Sequence, residues 1–430
     1  MLSTPPMSDL SSLSRTALTG LGQELEARYA AFKARGLTLD MTRGKPSSQQ
    51  LDLANDLWQK PQGSFTAKDG TDGRNYGGLD GLPETKEIFA GLLEAPPAQV
   101  VVSGNSSLQI MHDTVVRALT HGVPDGAGAW SKQPKVRFLC PSPGYDRHFA
   151  ICEHFGIEML TVELGEDGPN LEQVESLVAS DPTIKGMWCV PKYANPTGTT
   201  YSDKVVDRLA GMKTAAPDFR LFWDNAYAVH DLYATTDPLK NILTACKAAG
   251  NENRALVFGS TSKISFAGAG IAALASSPAN VADAKKHLGF QTIGPDKLNQ
   301  LRHVAFFKDY AGLLAHMKRH AEILRPKFEA VTDIFQNELG GKAIATWTKP
   351  RGGYFVSLDT LDGCAKEVVS LANQAGVKLT AAGATFPYGK DPRDRNIRIA
   401  PSLPPLDQIK VAMEVVCVCV ALASVKKLSA

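Results

Sequence analysis

Between residues 100 and 260, short apolar runs alternate with stretches of helical periodicity, and nothing else in the 430-residue chain restricts its fold as much. The apolar runs lie at 100–102, 135–139, 158–162, 184–190, 220–223 and 255–258. Helical patterns fill 108–119, 146–155 and 203–212. Strands that are apolar throughout are buried on both faces, and parallel neighbours need a crossover helix between them. The pattern therefore predicts an α/β architecture with a mostly parallel sheet flanked by helices.

The flanks read differently. Residues 16–35 carry apolar side chains at helical spacing up to Gly36, and 82–93 reads as a helix with Pro83 in its first turn. From about Asp296 one long helical stretch runs over 301–339 to Gly340-Gly341. An alternating segment at 354–358, a helix at 366–374, short strands and a final helix come after it, which suits a smaller α+β domain. The chain is long enough for two domains.

Composition removes several classes of function. With 46 basic and 44 acidic residues, the formal charge of +2 gives no reason to expect nucleic acid or an anionic membrane as the main partner. The cysteines at 140, 152, 189, 246, 364, 417 and 419 include no Cys-x-x-Cys pair, and they suit a reducing compartment. Residues 1–14 are polar, with no apolar core of a signal peptide. The apolar stretch 411–425 contains Glu414, is too short to span a bilayer and reads as a buried helix. A cytoplasmic location is expected. His316 and His320 have i, i+4 spacing without a His-Glu-x-x-His motif or a third ligand, so they read as surface residues of the long helix, and no metal site is expected.

The candidate chemistry lies in the loops. Lys263 stands in Ser260-Thr261-Ser262-Lys263, just after the apolar run 255–258. Asp224 closes the run 220–223, at the carboxyl end of a strand, where open α/β sheets bind ligands. A buried aspartate there calls for a cationic partner. Tyr227 lies three residues on and can bring a phenol to the same place. Asn105, Ser106 and Ser107 open a helix, where free N–H groups suit a phosphate, although taken alone a plain serine N-cap is the commoner explanation. Asn195 begins Asn-Pro-Thr-Gly, which is also an ordinary turn. Tyr145 is a core aromatic or a platform for a flat ring. Arg398 is either solvated or a bidentate carboxylate clamp.

Together these residues resemble the class I aminotransferases of pyridoxal 5′-phosphate (PLP) fold-type I, the aspartate aminotransferase family. The similarity runs from about Thr42 to Pro401. It is carried in order by Arg43-Gly44-Lys45-Pro46, Tyr76-Gly77-Gly78-Leu79-Asp80-Gly81, Ser103 to Ser107, Pro143-Gly144-Tyr145, Asn195 to Gly198, Asp224 to Tyr227, Ser260 to Lys263, Gly352-Gly353-Tyr354 and Arg398. In detail it is most similar to a divergent bacterial, MocR-like subgroup without the DNA-binding arm.

The resemblance implies a large PLP-binding domain at 46–310 and a small α+β domain built from 1–45 and 311–430. It also implies roles. Lys263 would hold PLP as an aldimine and shuttle a proton, and Asp224 would keep the pyridine nitrogen protonated. Asn195 and Tyr227 would bond the ring oxygen, and Tyr145 would stack on the ring. Asn105, Ser106, Ser107, Ser260 and Ser262 would hold the phosphate, and Tyr76 would reach the neighbouring active site of a homodimer. Arg398 would clamp the substrate α-carboxylate, with Gly44, Arg43 and Asn195 in the substrate pocket.

Two departures stand out. Ile271 occupies the family's phosphate-binding arginine position, leaving Arg43 and Lys45 as candidate cations. The arginine for a side-chain carboxylate has no secure counterpart among Arg43, Lys297 and Arg302. The expected reaction moves an amino group from an L-amino acid, here aspartate, to the 2-oxo acid 2-oxoglutarate. The alternatives are β-elimination or decarboxylation on the same fold, or a PLP-binding regulator.

Overall fold

A computed structural model of the chain describes residues 9–430; of the polar N-terminal stretch, residues 1–8 lie outside the described chain. The alternation closes into a seven-stranded sheet: β1 (Val100–Val102), β2 (Arg137–Ser142), β3 (Glu158–Glu163), β4 (Ile184–Cys189), β5 (Arg220–Asp224), β6 (Ala255–Ser260) and β7 (Ala272–Ser276). The spatial order is β1-β7-β6-β5-β4-β2-β3. Strands β2 to β6 pair in parallel, and only β7 runs antiparallel to its neighbours β1 and β6. The mostly parallel α/β architecture is thus as predicted.

Strand β7 is absent from the predicted set. Its sequence, Ala-Ala-Leu-Ala-Ser, has no β-branched or aromatic residue to mark it. It forms because it bridges two strands already present, and all five of its residues are buried.

Seven helices bear on the site and its supports: α1 (Arg15–Ala34), α2 (Ser48–Asp52), α3 (Ser107–His121), α4 (Asp146–His154), α5 (Lys297–Phe307), α6 (Tyr310–Leu339) and α7 (Leu406–Ser429). Hydrophobic cores lie on both faces of the sheet, one around Leu139, Val205 and Val257, the other around Phe138, Trp188 and Phe222. A further core joins α1, the second half of α6, α7 and a three-stranded antiparallel sheet, β8 (Ala345–Trp347), β9 (Val356–Thr360) and β10 (Asn396–Ile399), in the order β10-β9-β8.

Three local expectations change. The single stretch 301–339 is two helices, α5 and α6, broken at Lys308 (φ 70°), where Asp309 caps α6 by accepting from Gly312 N at 2.8 Å. The final helix is longer than its apolar stretch suggested: its 24 residues are long and apolar enough by composition to cross a membrane. They are instead core, and every residue from Val415 to Val425 is buried. His316 and His320 are not on the surface; their exposures are 5% and 1%. Helix α6 belongs to two cores, with Leu313 and Met317 in the sheet core and Leu324 and Phe328 in the C-terminal one. The two histidines sit at that handover and face polar protein groups rather than water, His316 the Ile264 carbonyl and His320 the Gln50 amide.

Candidate functional site

Parallel strands send their carboxyl ends to one edge of the sheet, so the loops after β2, β4, β5 and β6 gather there. Asp224 is the last residue of the wholly buried β5. Lys263 comes after β6 in a turn held by Thr261 N donating to Ile271 O at 2.8 Å and Ile264 N donating to Thr261 O at 2.9 Å. Asn195 sits in a turn closed by Gly198 N donating to Ala194 O at 2.7 Å. Gly198 has φ 74°, and a Cβ there would lie 2.5 Å from Pro350, so the turn requires glycine.

One cavity at this edge is lined by Gly44, Ser107, Tyr145, Asn195, Asp224, Tyr227 and Lys263, together with Phe355 and apolar side chains. Seven of the predicted site residues therefore meet. Burial depresses the Lys263 ammonium below its ordinary pKa, and the Asp224 charge partly opposes that shift. Its Nζ lies 5.3 Å from the Tyr227 ring centroid. Burial also pushes the Tyr145 phenol up to about 12.

Asp224 is 2% exposed. Its Oδ2 lies 3.0 Å from His148 Nε2, and the His148 ring stacks on Trp188 at 4.4 Å. Its Oδ1 is buried with no hydrogen-bond partner. An unsatisfied buried carboxylate oxygen is costly unless a donor is supplied.

Arg398 is buried, not solvated, and although outside the cavity lining it touches two residues that line it, Asn195 and Phe355. Its Nη1 donates to Asp146 Oδ1 at 2.8 Å and to Asn195 Oδ1 at 3.4 Å, and its guanidinium lies 5.0 Å from the Phe355 ring centroid. Its Nε is buried without a partner. With Nη1 engaged by Asp146, the Nε side is the edge left for a carboxylate. Gly44 makes room here, since a Cβ on it would fall 2.0 Å from Phe355 Cζ.

The remaining predicted residues lie at the rim or elsewhere. Ser106 is the N-cap of α3, accepting from Gln109 N at 3.3 Å, which is its ordinary structural role. Ser260 Oγ and Ser262 Oγ are 3.1 Å apart, and Ser262 Oγ donates to the Asn105 carbonyl at 3.4 Å, so these hydroxyls stand beside the start of α3. Ile271 is buried, with its N–H donated to Thr261 Oγ1 at 3.0 Å. Arg43 and Lys45 are exposed and outside the cavity lining. Lys297 Nζ donates to Gly77 O at 2.8 Å, and Arg302 Nε donates to Lys60 O at 3.2 Å, so neither reaches the cavity. Tyr76 is 79% exposed.

The sequence reading missed His148, Asp146 and Phe355. Asp146 and His148 lie one and three residues beyond the singled-out Tyr145, on the first turn of α4, and Phe355 comes directly after the Gly-Gly-Tyr motif. Size alone would choose another cavity, of about 570 Å³, between α3 and the segment 284–291. It gathers Arg117, His121 and His287 against apolar walls but holds none of the groups above except the flanking Ser103.

A family model described as aspartate amino-transferase matches residues 13–430. The chain is 53% identical over 420 residues to a putative aminotransferase of Mycolicibacterium smegmatis, covering 97% of this chain and 98% of that one. It is 47% identical over 403 residues to an aspartate aminotransferase of Corynebacterium glutamicum, covering 94% and 93%. The crystal structure of an aspartate transaminase from Corynebacterium glutamicum matches with a TM-score of 0.96 at 45% identity, covering 99% of this chain and 100% of that one.

Proposed function

The chain belongs to the aspartate aminotransferase family, an aminotransferase of PLP fold-type I, and from that premise we propose that it moves the amino group of L-aspartate to 2-oxoglutarate, with PLP as cofactor and Lys263 as its covalent anchor. The observation that carries this reading is Asp224 Oδ1, buried and without a donor in the cavity that holds Lys263. A protonated pyridine nitrogen is the donor that the position lacks. When bound, the cofactor supplies an aldehyde carbon for amine exchange and a ring that withdraws electrons.

The rest of the work falls to side chains of this chain. Asp224, held by His148, would keep a proton on the cofactor's pyridine nitrogen. Lys263, with its pKa lowered by burial, releases its own proton readily and can then carry one to and from the substrate Cα. Tyr145, Tyr227 and Asn195, which line the cavity, would orient the ring. Ser107, Ser260 and Ser262, with Asn105 and Ser106 at the start of α3, receive the phosphate through hydroxyls and the helix end in place of an arginine at 271. Arg398 receives the α-carboxylate on its Nε side, against Gly44 and Phe355. For the second carboxylate Arg43 would be the remaining candidate, exposed next to the lining residue Gly44 though itself outside the lining, since Lys297 and Arg302 are engaged elsewhere.

We propose the division into domains at 46–310, with 1–45 and 311–430 forming the small one (residues 1–8 lie outside the described chain), because α1, the second half of α6, α7 and β8 to β10 build a core of their own that few residues of 46–310 join. A homodimer belongs to the same proposal. Tyr76 is 79%, Phe290 87% and Ile293 64% exposed, and Gly77 O would lie 2.3 Å from a Cβ on Gly294, so the first and last of these belong to neighbouring segments. An exposed apolar group of this kind suits a partner subunit that receives Tyr76. The seven free, buried cysteines support a cytoplasmic location.

The test is the absorbance of the PLP-loaded protein before and after L-aspartate is added without a 2-oxo acid. Conversion of the cofactor to its amine form with release of oxaloacetate is the expected result. Cofactor uptake without conversion would reject aspartate, and failure to take up PLP would reject the cofactor assignment.

A further inference from the structure

Four buried side chains behind Lys263 close a ring of polar contacts between two consecutive main-chain carbonyls. Tyr354 Oη donates to the Lys263 carbonyl at 3.4 Å and accepts from Gln50 Nε2 at 2.9 Å. Gln50 Nε2 also lies 3.1 Å from His320 Nδ1. His320 Nε2 lies 3.0 Å from His316 Nε2, and His316 Nε2 donates to the Ile264 carbonyl at 2.8 Å. Starting from the Lys263 carbonyl, the path returns to the chain one residue further on.

Gln50, Tyr354 and His320 are 0–1% exposed and His316 is 5% exposed, and none of the four lines the cavity. They come from α2, α6 and the loop before β9, so three separate elements grip the main chain that carries the lysine. A second grip lies just beside it. His303 Nε2 is 2.7 Å from Ser265 Oγ and 3.4 Å from Thr261 Oγ1. Burial holds His320 at about 3 and keeps His316 below its ordinary pKa, so the ring adds no positive charge beside the lysine near neutrality. Charged and titratable groups facing Lys263 are Asp224 from β5 and the phenol of Tyr227 and imidazole of His230 from the loop after it.

We propose that this ring is a positioning device: Gln50, His316, His320 and Tyr354 fix the peptide carbonyls that follow the Lys263 Cα and so aim its amine into the cavity. Buried polar contacts at hydrogen-bond distance restrict the geometry of the main chain they touch, and a misplaced nucleophile loses rate steeply. The inference rests on the proposed role of Lys263 as covalent anchor of PLP.

It is tested on the full-length protein stripped of cofactor. The rate at which the protein captures PLP covalently is followed by absorbance, the amine nitrogen bonding the aldehyde carbon as water leaves, and borohydride trapping places the adduct at Lys263. Pyridoxamine phosphate, which has no aldehyde and occupies the pocket without bonding to Lys263, is the control. In Tyr354→Phe and His316→Leu, capture is expected to slow about tenfold, the scale of one lost hydrogen bond to a reacting geometry, with pyridoxamine phosphate affinity held within about twofold. His316→Gln, which keeps an N–H for Ile264, is expected to recover most of the rate. Unchanged capture in both variants would overturn the inference. So would a parallel loss of pyridoxamine phosphate affinity, which marks a ring that merely holds the fold. A wild-type protein that captures no PLP would overturn the cofactor reading and this inference with it, whereas a capturing wild type with unaffected variants overturns this inference alone.

Discussion

Strand β5 carries a buried aspartate near each end, and the two are treated in opposite ways. Asp218, two residues before the strand, has both oxygens satisfied: Oδ1 accepts from Lys185 Nζ at 2.7 Å and Oδ2 from Trp130 Nε1 at 2.9 Å. Asp224, its last residue, has one oxygen near His148 and the other without any donor. Burial is the same, 3% against 2% exposed. The completed carboxylate is architecture, whereas the incomplete one is a demand that the fold leaves for something else to meet. Lys185 and Lys263 are each buried near one of these aspartates, yet Lys185 is locked in an ion pair with Asp218 while Lys263 has no salt-bridge partner among the described residues.

The contrast can be broken by mutation. The largest effect is expected for Lys263→Ala, which should lower turnover by at least about 10³-fold with folding intact, measured by a coupled transamination assay and circular dichroism. Residual turnover close to wild type would remove Lys263 from the chemistry. Next, Asp224→Asn should lower kcat by about 10²-fold or more with a modest change in melting temperature. Asp218→Asn should do the reverse: about 3 kcal/mol of stability lost to an unpaired buried Lys185, with kcat per folded molecule unchanged. If the two variants behave alike, the distinction between the ends of the strand is wrong.

A smaller effect is expected at Arg398, the proposed carboxylate clamp. Arg398→Lys should raise the KM for the amino acid roughly 10- to 100-fold with less change in kcat, because a lysine cannot reproduce a two-point guanidinium contact. Equal losses in kcat and KM would show that Arg398 positions more than the carboxylate.

The smallest effect concerns pH and sharpens the comparison around Lys263. His303 is held at about 4 and His320 at about 3, in both cases chiefly by burial. Both are neutral in the fold but take up protons when unfolded, once the pH falls below the ordinary histidine value of about 6.5. Their contribution to stability is therefore complete above that value and lost progressively as pH falls toward 3–4. The melting temperature should drop by several degrees between pH 7 and pH 5. The His320→Gln protein should show a shallower drop; an identical slope would mean that other groups set the acid sensitivity.

Much of the sheet was legible, because strands buried on both faces must be apolar and the alternation with helices forces parallel pairing. β7 was not, since alanines carry no strand signal and only the gap between β1 and β6 selects them. The break at Lys308 was also hidden, because helical spacing continues across it and the capping by Asp309 is a matter of geometry. In the site, Asp224 and Lys263 could be singled out from their place after apolar runs and from a family resemblance. His148 could not, because a histidine on the first turn of a helix has no distinctive spacing and acquires its partner only when β5 and α4 pack. His316 and His320 were misplaced for a related reason: their spacing puts them on one face of α6 but does not say what covers that face.

What the sequence by itself determined is whatever depends on neighbours along the chain. That includes the α/β class, the turn that needs Gly198, and the order in which the chemically capable residues arrive at strand ends. What only the tertiary structure decided is which polar groups are left unsatisfied. Asp224 Oδ1 and Arg398 Nε have no partner among the described residues, while both oxygens of Asp218 are bonded and Ser106 caps α3. Satisfaction is a three-dimensional property, because a donor and its acceptor here can lie from 3 to more than 250 residues apart.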